Sequence, residues 1–158
     1  MSTTHTPRIA VVGSLNMDLV LQVQHAPGPG ETVLADALHL VPGGKGGNQA
    51  VACARQGARV HLFGRVGGDA YGHTLRTSLA QDGIDHSGVQ TDPTETTGVA
   101  AITVEATGQN RIVVVPGANG RFELDTQALG AVLAQAHSLV LQFETPLPQV
   151  MAAAQQAQ

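Results

Sequence analysis

The segment Pro42-Gly43-Gly44-Lys45-Gly46-Gly47-Asn48-Gln49 constrains the chain more than any other, because four glycines and one cation run straight into the alanine-rich Ala50-Val51-Ala52-Cys53-Ala54. That is the layout of a loop opening a helix. Glycine admits positive φ and lets a ligand approach main-chain N–H groups with no Cβ in the way. The first helical turn adds N–H groups without an intrahelical partner and the positive end of the helix dipole. Hydroxyls or anions suit such a place, and Lys45 contributes a point charge. A loop that merely turns the chain has the same composition, so neighbouring residues must decide. Two nucleotide readings fail on residue identity. A P-loop needs Gly where His39 stands and Ser or Thr where Gly46 stands, and no strict GxGxxG occurs, which disfavours a dinucleotide-dependent oxidoreductase.

A short apolar run, Ile9-Ala10-Val11-Val12, ends in Gly13 and predicts a parallel strand buried on both faces. Ser14 to Asp18 reads as a loop at its C-terminal end, where open α/β sheets bind ligands. Asn16 and Asp18 are candidates for holding a polar ligand there, and equally for an Asn/Asp turn capping its own backbone. The helix runs from Asn48 to a stop at Gly57. Val60 to Gly64 follows as a second core strand, and Asp69 caps a helix that reaches Gly83. Leu19 to Gln24 and Thr32 to Val41 read as extended pieces outside the central sheet, separated by the turn at Pro27 to Glu31. Thr97 to Val104 and Asn110 to Val115 read as a hairpin turning at Glu105 to Gln109.

Further on, Asp125 opens a helix and Ser138 to Gln142 is a third core strand. Thr145 as N-cap with Pro146 at N1 begins a last helix. Glu144 then lies at the rim of the sheet, level with Asp18 and the glycine loop, either as a ligand or as the partner of a helix N-terminus. Val150 to Gln158 is a helical Ala/Gln tail with no Gly stop and no strand beyond it. The expectation is the front half of a longer protein.

Composition narrows the function classes. The chain has 158 residues, 42% hydrophobic and 13% charged, enough for one domain with a real core. A net charge of -4 with only 8 Lys plus Arg, scattered along the chain, argues against nucleic acid or an anionic membrane as partner and for a small ligand. Nothing approaches the roughly 20 apolar residues that span a bilayer, and the polar start is no signal peptide. The lone Cys53 reads as a small core residue in a reducing compartment, so the cytoplasm is expected. Seven histidines never fall at i,i+3 or i,i+4 spacing, so no metal site is expected.

Taken in order, Gly13-Ser14-Leu15-Asn16-Met17-Asp18, Pro29-Gly30-Glu31-Thr32, Gly43 to Ala52, Gly67-Gly68-Asp69, Thr97-Gly98-Val99-Ala100 and Gly117-Ala118-Asn119 resemble the N-terminal half of the ribokinase and phosphofructokinase-B family of carbohydrate kinases. The resemblance covers about Ile9 to the end. Lys45 with Asn48-Gln49 is more similar to the ribokinase branch than to fructokinases or adenosine kinases. The resemblance implies an α/β fold, a three-layer α/β/α sandwich incomplete in this chain. A small β-sheet lid, with strands inserted at about 19–42 and 97–116, would close over the sugar and pair two subunits as a homodimer.

Carried over by motif, Asn16, Met17 and Asp18 would line the sugar, Gly44, Lys45, Gly46, Gly47 and Asn48 would wrap it, and Glu144 would take another hydroxyl. Ala100, Ile102 and Val114 would give apolar lid contacts. These residue types suit vicinal hydroxyls, and Lys45 is suited to stabilise developing negative charge. The implied reaction moves the ATP γ-phosphoryl group to the 5-hydroxyl of D-ribose. The family's catalytic Asp, its ATP pocket with Mg2+ and its monovalent-cation (K+) site belong to a second half absent from these 158 residues. This chain alone is therefore expected to be inactive. A non-catalytic sugar-binding or lid-dimerisation module is the alternative.

Overall fold

The computed structural model describes residues 6–158. Its chain order is β1 (Arg8–Val12), β2 (Asn16–Val23), β3 (Ala37–Gly43), α1 (Lys45–Arg55), β4 (Arg59–Gly67), α2 (Ala70–Gln81), β5 (Asp85–Asp92), β6 (Gly98–Glu105), β7 (Asn110–Val115), a 3-10 turn (Gly117–Arg121), α3 (Thr126–Leu133), β8 (Ser138–Leu141) and α4 (Leu147–Gln156). The strands form two four-stranded sheets.

The first sheet has the order β5-β4-β1-β8 and every pairing in it is parallel. Its central strand β1 is buried on both faces, as its unbroken apolar run requires. Val11 points into one core with Leu62, Val66, Leu75 and Ala50, under α1 and α2. Ala10 and Val12 point the other way, to Phe63, Phe122, Leu129 and Ala153, under α3 and α4. The result is the helix–sheet–helix layering that the resemblance implies. Strands β1, β4 and β5 step outward in one direction, and β8 then returns to the opposite side of β1. That reversal opens a crevice at the carboxyl ends of β1 and β8.

The second sheet has the order β3-β2-β6-β7, with β2 and β6 parallel and the outer pairs antiparallel. Along one row Val41, Asp18, Ala100 and Val114 stand side by side, and the next row on that face is His39, Val20, Ile102 and Ile112. The opposite face carries Leu40, Leu19, Ala101 and Val113. Both faces leave apolar side chains in solvent, among them Leu40, Ile112, Val113 and Val114.

Several local expectations change. Ser14 to Asp18 is not a loop: β2 begins at Asn16, whose backbone pairs with Gly43 and Gly98, so neither Asn16 nor Asp18 forms a self-capping turn. Helix α1 starts at Lys45 rather than Asn48, because Gly44 at φ 84 makes the bend. Residues 31–36 are irregular, and β3 begins only at Ala37. Thr145 does not cap α4. Pro146 occupies the cap position with Pro148 in the first turn, and the buried Thr145 hydroxyl has no partner among the described residues. Strand β5, with sequence DHSGVQTD, went unforeseen. Asp69 and Asp125 do cap α2 and α3, accepting from Gly72 N and Ala128 N at 2.8 and 2.9 Å.

Candidate functional site

Three chain segments meet at the crevice. Gly13 ends β1 and Gly46 begins α1, and the two backbones lie so close that a Cβ on Gly46 would stand 2.5 Å from Gly13 C. Glycine at both positions lets the helix start directly on the strand tip. Ser14 then serves the exposed first turn: its carbonyl accepts from Gly47 N at 3.0 Å and its Oγ from Gly46 N at 3.4 Å. The same hydroxyl donates to Glu144 Oε2 at 2.8 Å. Glu144 also pairs with the Lys45 ammonium, beside the first residue of α1. A carboxylate at the start of a helix is favoured by the dipole.

The electrostatics follow from these contacts. Burial works to raise the Glu144 pKa, but hydrogen bonds from Lys45 and Ser14 outweigh it and hold the carboxyl below its usual range. Asp18 behaves in the opposite way. Burial and the negative charge of Glu144 raise its pKa, against a smaller opposing pull from Lys45. Asp18 is packed against Gly43, where a Cβ would lie 2.2 Å from Asp18 Oδ2. The crevice thus holds one satisfied carboxylate, one under-satisfied carboxylate and an exposed ammonium. Such a set presents strong acceptors and one donor to a polyhydroxylated molecule.

Asp18, Gly44, Lys45, Gly46, Gly47 and Glu144 therefore come together. Asn48 is exposed on the first turn of α1. Ala100, Ile102 and Val114 lie on the Asp18 face of the second sheet, Ala100 and Val114 in the same row as Asp18. Met17 does not join them: its side chain, 2% exposed, packs in the core with Leu15, Ala50 and Leu75. Asn16 is 5% exposed and its Oδ1 accepts from Asn119 Nδ2 at 2.8 Å, so that acceptor is already engaged within the protein.

Four further residues shape the site without having been given a role from the sequence. Asn119 accepts from Leu15 N at 2.9 Å and donates to Leu15 O at 3.0 Å and Pro116 O at 3.1 Å, fixing the turn from β1 into β2. Thr97, wholly buried, donates to Asp69 Oδ1 at 2.6 Å and accepts from Gly67 N at 3.0 Å, tying the start of α2 to the start of β6. Ser14 and Gly43 act as described above. All four stand inside or beside the short motifs, so the signal was their position; the chemistry needed the fold.

Among the described residues no group of three His, Cys, Asp or Glu side chains is placed to hold a metal ion. No helix among them is long and apolar enough to cross a membrane.

Comparison with known proteins agrees with the geometry. The pfkB family carbohydrate kinase model matches residues 6–158. The ribokinase of Haemophilus influenzae is 41% identical over 148 residues, covering 93% of this chain and 48% of that protein. A deoxyribokinase of Salmonella typhimurium is 36% identical over 143 residues, covering 90% of this chain and 47% of its own length. The structure of Arabidopsis thaliana ribokinase complexed with ribose and ATP superposes with a TM-score of 0.83 at 31% identity, over 97% of this chain and 50% of that one. The chain spans about half the length of the relatives it matches. On its six motifs, its layered fold and this family match, the chain belongs to the pfkB family of carbohydrate kinases.

Proposed function

We propose that residues 6–158 carry the sugar-binding part of a ribokinase, an ATP-dependent enzyme that transfers the γ-phosphoryl group to the 5-hydroxyl of D-ribose. The observation that carries this reading is the convergence of Asp18, Lys45 and Glu144 on one crevice from three separate segments, with Lys45 bonded to Glu144 across 99 positions. Asp18 accepts from sugar hydroxyls, the Gly44–Asn48 turn wraps the ring, and Glu144 with Lys45 takes a further hydroxyl. Ala100, Ile102 and Val114 cover the apolar side of the sugar as the second sheet closes on it as a lid. The relative bound to ribose and ATP supports the substrate pair. The deoxyribokinase supports 2-deoxyribose as the competing sugar, since loss of one hydroxyl is read by pocket contacts rather than by fold.

This reading implies ATP with Mg2+ and K+ as cofactors, and among residues 6–158 no group of three His, Cys, Asp or Glu side chains is placed to hold a metal ion. The exposed apolar faces of the second sheet favour a second reading, a sugar-binding or dimerisation module that acts without catalysis. A homodimer paired through the second sheet fits its solvent-exposed apolar faces. Cytoplasmic residence fits a single free thiol, Cys53.

The deciding experiment is calorimetric titration of this chain with D-ribose and with 2-deoxy-D-ribose, repeated on Glu144→Gln. Saturable ribose binding that weakens in the variant supports the assignment. No binding of either sugar by the folded chain removes it. Tighter binding of the deoxy sugar transfers the assignment to a deoxyribokinase.

A further inference from the structure

Away from the crevice, at the opposite, N-terminal ends of the strands, a cleft of about 500 Å³ opens between the first sheet and α3. Arg8 and Arg59 are register partners across β1 and β4. Both share the α3 face of the sheet, because Arg8 alternates with Ala10 and Val12, and Arg59 with Phe63. His61, on the same face, stacks on Phe63 with ring centroids 4.7 Å apart. Adjacent parallel strands run about 5 Å apart, so two guanidinium stems start side by side.

Neither guanidinium meets a carboxylate among the described residues. Arg59 has no side-chain partner there. Arg8 makes one long bond, 3.4 Å to Gln135 Oε1, and its buried Nε donates to nothing. The one acid at the rim, Asp85, is turned to His61 Nδ1 at 3.2 Å and to Ser87 N at 3.0 Å. Like charges placed opposite one another in a sheet are destabilising, and a buried unpaired guanidinium N–H costs more. The α3 side of the cleft is apolar, lined by Ala131, Val132 and Ala136. The volume falls in the range of small-ligand sites, with a few convergent polar groups set in apolar walls.

We propose that this cleft binds a small organic phosphate monoester, its dianionic group held between Arg8 and Arg59 and its uncharged body against Val132 and Ala136. Paired guanidinium forks match a phosphate's oxygens and its double charge better than they match a single carboxylate. The site lies at the other end of the strands from the sugar crevice, so it is independent of the kinase assignment.

The test is an amide-shift NMR titration of the whole chain at constant ionic strength, with inorganic phosphate and with adenosine monophosphate as probes. Saturable shifts clustered at Arg8–Ala10, Arg59–His61 and residues 131–136 support the site, and tighter binding of the nucleotide than of phosphate supports use of the apolar wall. Arg59→Gln, an exposed change that leaves the core intact, weakens binding by about tenfold or more. Arg8→Gln with Arg59→Gln abolishes it. Absence of saturable shifts with both probes overturns the proposal. So do shifts centred on Lys45, or an affinity unchanged in Arg59→Gln.

Discussion

Asn119 donates from Nδ2 to Asn16 Oδ1 at 2.8 Å, across 103 positions of sequence, and the same side chain holds both backbone groups of Leu15. One buried amide therefore fixes the approach of β2 to the crevice. Asn119→Ala strands the Leu15 N–H and frees Asn16. A loss of about 3 kcal/mol in unfolding free energy is expected from orphaning buried groups. Urea denaturation measures it, and a loss below about 1 kcal/mol would show that water replaces the brace.

Gly43→Ala tests the packing of Asp18. The new Cβ would stand 2.2 Å from Asp18 Oδ2, so the carboxylate must swing away. Ribose affinity is expected to fall by about tenfold or more. Gly108→Ala provides the contrast: Gly108 has open space around it and a φ of 84, so it tests backbone strain without touching the site. Titration calorimetry on both variants separates the two effects.

Asp18→Asn exchanges stability for binding. A carboxyl whose folded pKa is raised is harder to ionise in the native state than in the unfolded chain, so its contribution to stability is present below the unfolded value of 3.8 and lost as pH rises through the folded value. At neutral pH the Asn variant is expected to melt slightly higher than the parent. Titration calorimetry is expected to show weaker ribose binding by the variant. A lower melting temperature with unchanged ribose affinity would contradict both halves of this expectation.

Asp92 sets an acid limit. Its carboxyl accepts from Glu95 N at 2.8 Å and Thr94 N at 2.9 Å, and Arg65 lies 3.0 Å away. These hold its pKa at about 2, with the backbone bonds from Glu95 and Thr94 foremost. The sign is that of a depressed carboxylate: its stabilisation is complete above the unfolded value of 3.8 and is lost as pH falls toward 2. Asp92→Asn is expected to flatten the acid side of a stability profile between those values. Circular dichroism at stepped pH reads the slope.

Dimerisation through the second sheet is tested by Leu40→Lys with Val113→Lys, at the two ends of one row on the face opposite Asp18. Sedimentation velocity is expected to show a shift from dimer to monomer with ribose binding retained. Parent chains that already sediment as monomers at high concentration would remove the interface.

The fold was legible where side chains carry their own reasons. Ile9–Val12 could only be an interior strand, Gly57 could only end a helix cheaply, and Asp69 and Asp125 announced their helices by cap chemistry. Strand β5 was illegible because its only buried apolar residue is Val89. What holds it is tertiary: pairing to β4 and a Gly88 whose missing Cβ makes room for Phe63. The start of α4 misled for a related reason, since Thr-Pro signals a cap locally while Pro146 and Pro148 move the first turn later. At the site, motif order pointed to Asp18, Lys45 and Glu144. Alternation along β2 sends Met17 and Asp18 to opposite faces, a period-of-two argument available once residues 16–23 are read as a strand. Asn119 was hidden because its worth lies in partners more than a hundred positions away.

All four passages of the chain between the two sheets touch one another: Gly44 lies against Ser14, Leu15 and Asn16, Gly98 against Asn16 and Asn119, and Gly117 against Thr96 and Thr97. The upper sheet is thereby fastened along one narrow waist rather than at scattered anchor points. On the lid reading proposed above, a body joined in that way would hinge as a single flap about one axis. Stiffness at that seam would then set how widely the molecule gapes for a visitor and how quickly it shuts behind it.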